Sequence, residues 1–104
     1  MVQKIFPSKA FEHPLSKKYF QACKTSNIEE ITTVLNIHKY LVYEFDLLMM
    51  TGLHWACKRG HLDIAHKILY KGADPDAQDI VGRTPLYLAI DNGHNDITKV
   101  APLS

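Results

Sequence analysis

The sequence predicts an all-α fold, a solenoid of stacked helix-turn-helix units carrying hairpin or loop fingers, and three observations predict it. The first is a repeat. Asp46 to Lys71, "DLLMMTGLHWACKRGHLDIAHKILYK", and Asp79 to Ser104, "DIVGRTPLYLAIDNGHNDITKVAPLS", coincide at eight positions when set 33 residues apart, among them Thr51/Thr84, Ala56/Ala89, Gly60/Gly93 and His61/His94. The second is helical spacing: Leu53, Ala56 and Cys57 lie at i, i+3, i+4, and Leu62, Ala65, Ile68 and Leu69 continue an apolar stripe beyond Gly60. The third is the turn-rich stretch "YKGADPDAQDIVGRTP" between the two copies, which leads into a finger.

Each element follows in order. Residues 1–14, "MVQKIFPSKAFEHP", form an extended segment with Ile5, Phe6 and Phe11 set among Pro7 and Pro14, suited to capping the first unit or inserting into a partner. Residues 15–45 form a divergent first unit and linker. Set 34 residues apart, "ACKTSNIEEITTVL" from Ala22 shares Ala-Cys-Lys and a final Leu with "ACKRGHLDIAHKIL" from Ala56, while Ser26 and Asn27 replace Gly-His. Its connecting segment, "NIHKYLVYEFD", is rich in aromatics.

Residues 46–78 form a full unit: Thr51 starts its first helix, Gly60 ends it, and His61 leads into the second. In residues 79–104 Thr84 and Pro85 start the corresponding helix without loss of an intrahelical hydrogen bond. Ala101 and Pro102 then stand where Ile68 and Leu69 stand, so this last unit reads as incomplete. A shortened piece of a longer array and an alternative terminus both account for it.

These residues resemble the ankyrin repeat. That family starts its inner helix with Thr-Pro-Leu-His and closes each unit with a Gly-Ala-Asp loop; here the elements are "TGLH" from Thr51, "TPLY" from Thr84 and "GAD" from Gly72. The resemblance is specific from Asp46 to about Val100 and looser from Leu15 to Asn36. Met49 departs from it, standing where the turn glycine Gly82 stands in the next unit, which requires another turn geometry or strain. Gly52 stands in the place of Pro85 and gives up preorganisation at a helix start.

Composition narrows the function. Lys and Arg total 12 against 11 Asp and Glu, with six basic and four acidic residues in the first 45 positions and six and seven in the rest, so there is no basic face for nucleic acid. The N-terminus lacks the apolar core of a signal peptide and no long apolar run is present, so no direct membrane insertion is expected. Two cysteines are too few for a disulfide framework, and an intracellular, cytoplasmic protein with reduced thiols is expected.

Cys57, His61 and His66 have metal-ligand chemistry, but Gly60 breaks the helix between Cys57 and His61 and no fourth ligand lies near. A Cys57–His61 nucleophile lacks an orienting third residue. No phosphate loop or HExxH motif occurs. No catalytic residue, metal, cofactor or small-molecule substrate is therefore expected, and the resemblance implies that His54, His61 and His94 satisfy backbone and Thr hydroxyl groups at turn-helix junctions.

What the resemblance implies instead is a non-catalytic interaction module or adaptor that binds a partner protein through a concave face and its finger tips. The positions so selected are Leu47, Leu48, Met50, Lys58, Arg59 and Lys71 in one unit and Ile80, Val81, Arg83, Asp91 and Asn92 in the next, with Lys24 and Thr25 continuing the row. Their mixture of apolar tips and a basic middle suits an acidic and hydrophobic partner. Trp55 matches a core position held by Leu88 and reads first as core, with partner contact as the alternative. A second reading makes the chain a permanent structural subunit docked on a neighbour.

Overall fold

The computed structural model describes residues 14–100, in which five α-helices form two layers: α1 Ser16–Thr25, α2 Ile28–Ile37, α3 Gly52–Arg59, α4 Leu62–Tyr70 and α5 Pro85–Asp91. Helices α1, α3 and α5 pack side by side as an inner row, and α2, α4 and a 3-10 helix at Asn95–Lys99 form the outer row. Small residues make the close approach possible. Ala22, Ala56 and Ala89 occupy the same place on successive inner helices and are all buried, as are Leu53, Ile64, Ile68 and Ile97 of the core between the rows. The extended segment read at residues 1–14 and the Ala101–Pro102 anomaly lie almost wholly outside the described residues.

The third unit differs from the second in its outer element. Where α4 runs for 9 residues as an α-helix, residues Asn95–Lys99 form only a short 3-10 helix, yet Ile97 is as fully buried as its counterpart Ile64. The connecting segment of the first unit also winds into a 3-10 helix, Lys39–Tyr43, which buries Leu41 and Val42 and leaves the stacked rings of Tyr40 and Tyr43 exposed.

Helix ends follow the residues read from the sequence. The hydroxyls of Thr51 and Thr84 accept from the backbone N–H of His54 and Tyr87, and Gly60 adopts φ +74° so that the N–H of His61 reaches Ala56 O at 2.8 Å. Ser26 takes the same left-handed conformation, φ +62°, at the end of α1, and Asn27 caps α2 through the N–H of Glu30. Gly52 has a reason beyond helix initiation. A Cβ there would lie 2.5 Å from the hydroxyl oxygen of Tyr19, a wholly buried ring of the first unit, so neither alanine nor proline fits.

The fingers are turns organised by one carboxylate each, with a single antiparallel bridge between Phe45 and Thr51 among the described residues. Asp46 Oδ1 accepts the N–H of Leu48 and Met50; Asp79 Oδ1 accepts the N–H of Val81 and Arg83. Met49 keeps the turn of its counterpart Gly82: φ is +60° at Met49 and +90° at Gly82, so the strain is accepted. The fingers then join, Ile80 N–H donating to Leu48 O at 2.8 Å.

Three histidines clasp the units together. His61 Nε2 donates to Lys24 O at 2.9 Å, and His94 Nε2 donates to Lys58 O at 3.0 Å, each reaching back from an outer-helix start to the end of the preceding inner helix. His94 lies so close over Gly60 that a Cβ there would come within 2.5 Å of its Nδ1. His54 reaches the other way. Its Nδ1 accepts the N–H of Thr51 at 3.0 Å, which leaves the proton on Nε2 to be donated to Arg83 O at 2.8 Å.

Two stability measurements follow. Met49→Gly relieves the left-handed backbone and raises stability by about 0.5–1 kcal/mol in denaturant unfolding; a loss would mean that the Met49 side chain contributes more than its backbone costs. Burial lowers the His54 pKa from its ordinary 6.5, against the raising effects of Arg83 O and the two finger carboxylates. The unfolded chain therefore binds the proton first, and stability falls as pH drops below about 6.5 toward the lowered folded value. Melting curves from about pH 7.5 to 5 show this slope, and His54→Asn flattens it; an unchanged slope would assign the acid sensitivity to another group.

Candidate protein-binding face

Because successive inner helices end side by side, their last residues line up across the repeats. Lys24 and Thr25 from α1, Lys58 and Arg59 from α3, and Asn92 from the end of α5 line one open groove of about 550 Å³, with His61 at its wall. Part of the row of positions selected from the sequence thus lines one groove. Asn92 is fixed by donating from Nδ2 to Leu88 O at 2.7 Å. Lys24, Lys58 and Arg59 make no ion pair with a carboxylate among the described residues.

Trp55 joins this groove to the fingers. Its Nε1–H donates to Asp46 Oδ2 at 2.9 Å, the oxygen that the finger turn does not use. Lys24 Nζ stands 4.4 Å from its ring centroid and the Arg59 guanidinium carbon 5.8 Å. Leu88, its counterpart, is fully buried, whereas Trp55 is only half-buried: a ring too large for the leucine site, with an N–H to satisfy, emerges at the surface. The reading of Trp55 as core first is therefore only half met, and the N–H of a tryptophan at a leucine site is the sequence signal for the difference.

In the second finger Asp79 Oδ2 pairs instead with Arg83 Nε at 2.8 Å. Burial would raise the Asp79 carboxyl, but the backbone N–H of Arg83, its guanidinium and the N–H of Val81 hold it below its ordinary value.

The remaining predicted positions separate. Leu47 and Val81 are 73% and 69% exposed, and Leu48 and Ile80 stand beside them at the tips. Arg59, Asp91 and Asn92 are exposed; Lys58 and Arg83 are half-buried. Lys71 sits at the C-cap of outer helix α4 and is not among the groove residues. Met50 is a correction: at 1% exposure its apolar side chain belongs to the core, whereas its counterpart Arg83, after the same left-handed turn, stays half-buried against Asp79.

The reactive-looking cluster has no reactive geometry. Cys57 is fully buried and desolvation pushes its thiol up to about 12; the Cys23 thiol is likewise pushed up to about 12 by burial. His61 spends Nε2 on the clasp and His66 lies exposed on α4. Among the described residues no three His, Cys, Asp or Glu side chains gather to hold a metal ion, and no helix is long and apolar enough to cross a membrane.

Stacked helix pairs, carboxylate-built fingers and interrepeat histidines define a repeat solenoid that presents one continuous face. Residues 53–101 match the model of the family described as ankyrin repeats in many copies. The chain is 31% identical over 115 residues to the tyrosine-protein kinase HTK16 of Hydra vulgaris, 97% of this chain and 15% of that protein. It is 35% identical over 88 residues to the ARF GTPase-activating protein Git of Drosophila melanogaster, 85% of this chain and 12% of that protein. With human ARF GTPase-activating protein GIT1 it is 31% identical over 85 residues, 82% of this chain and 11% of that protein. The chain therefore spans only a small part of these relatives. Ankyrin repeats are non-catalytic modules that bind other proteins, and protein interaction is the role of this stretch.

The division between frame and free surface can be measured. Asp46→Ala removes two turn hydrogen bonds and the partner of Trp55 Nε1, and costs about 2–3 kcal/mol of stability. Leu47→Ala and Val81→Ala change it by no more than about 0.5 kcal/mol. Equal losses at the tips would make them part of the frame.

Proposed function

We propose that the chain acts as an adaptor, engaging a partner protein reversibly through the concave face made by the groove and the finger tips. The observation that carries this reading is the continuity from the cations of the groove, which have no carboxylate partner among the described residues, through Trp55 and Asp46 to the exposed tips Leu47, Leu48, Ile80 and Val81. Such a surface is apolar at one margin and charged at the other, the composition of a non-obligate interface. The same reading assigns the module to a reducing intracellular compartment, where the buried free thiols Cys23 and Cys57 remain unpaired.

Site-directed photocrosslinking tests the face whatever the partner is. A photoreactive residue at Leu47, Arg59 or Asp91 captures a protein from cells, while the same group at Asp63, His66 or Tyr70 on α4 does not. Capture from α4 alone would move the interface to the outer helices and overturn the reading.

A further inference from the structure

Resting on that concave-face reading, we propose that the occupant of the groove is an extended acidic segment of the partner, with a carboxylate seated between Lys24 and Arg59 beside Trp55. Two cations from different repeats are drawn to one indole ring, at 4.4 and 5.8 Å from its centroid, and Lys58 lines the same groove. None of the three has a carboxylate partner among the described residues. Like charges gathered at one ring repel each other. A carboxylate placed between them removes that repulsion and forms charge-assisted hydrogen bonds with both heads.

The position of these side chains at the ends of α1 and α3 already complements the helix dipoles, but that accounts for cations anywhere in the last turn. It does not account for Lys24 leaving its own helix end to stand over a tryptophan of the next repeat. Asp46 cannot serve as the missing acid, since Oδ1 holds the finger and Oδ2 holds Trp55 Nε1.

A nucleic-acid strand would also satisfy the charge. The geometry favours the peptide, because Lys24 Nζ occupies the approach to the indole face on which a base would stack. The apolar tips Leu47 and Leu48 adjoin the same tryptophan through Asp46 and offer aliphatic contact, which a phosphate backbone cannot use.

Trp55 is the only tryptophan in the chain, so its emission reports occupancy of this groove. The probe is a short synthetic peptide alternating glutamate with leucine, followed by Trp55 fluorescence and by anisotropy of the labelled peptide. Binding is expected to perturb Trp55, to weaken as salt is raised, and to weaken at least about tenfold in Lys24→Glu or Arg59→Glu, with Arg59→Gln as a milder variant should the reversals unfold. The charge-matched Lys67→Glu on α4 leaves it unchanged. Equal binding of the glutamine-for-glutamate peptide, an equal loss in Lys67→Glu, or tighter binding of oligothymidylate at Trp55 would each overturn the proposal. If Leu47 and Arg59 still crosslink a partner while the acidic peptide fails to bind, the concave face stands and the acidic occupant falls.

Discussion

The clasp from an imidazole N–H to a helix-end carbonyl is the constraint on which the stack depends. The last carbonyls of an α-helix have no partner within the helix, and here a side chain of the next repeat supplies one. His61 meets Lys24 O and His94 meets Lys58 O, at 2.9 and 3.0 Å. Each bond fixes the distance and the register between neighbouring units at once, and the row of groove residues on α1, α3 and α5 is a consequence of that register. Gly60 belongs to the same device, since its missing side chain is the space His94 fills.

Histidines at these positions look like a reactive centre when read along the chain. Folding separates them: His54 faces the next finger, His61 the preceding helix, and Cys57 the core. Local sequence density of chemically versatile residues therefore reports the number of junctions the segment must make.

Most of the frame is legible in the sequence because it is periodic. Thr51, Gly60 and His61 recur as Thr84, Gly93 and His94, and physical roles at caps and turns belong to the residue types themselves. The proposed binding face is legible only as a register of positions. Met50 falls in the core against expectation because its side chain is apolar, while Arg83 at the matching position after the same left-handed turn keeps its guanidinium half-exposed beside Asp79; the register alone does not separate the two. Trp55 departs from its core reading because its ring is larger than the leucine at the matching position and its N–H takes a partner in Asp46, while Lys24 comes to the ring from the preceding repeat. The 3-10 form of Asn95–Lys99 is only hinted at, through the incompleteness of the third unit's apolar stripe.

The finger carboxylates carry a wider consequence. Asp46 and Asp79 tie down the backbone of each tip from within, so the integrity of the loop does not rest on the tip side chains. The fold of each finger is thereby written in its backbone and one carboxylate. A lineage can exchange what stands at positions 47, 48, 80 and 81 while the scaffold beneath persists.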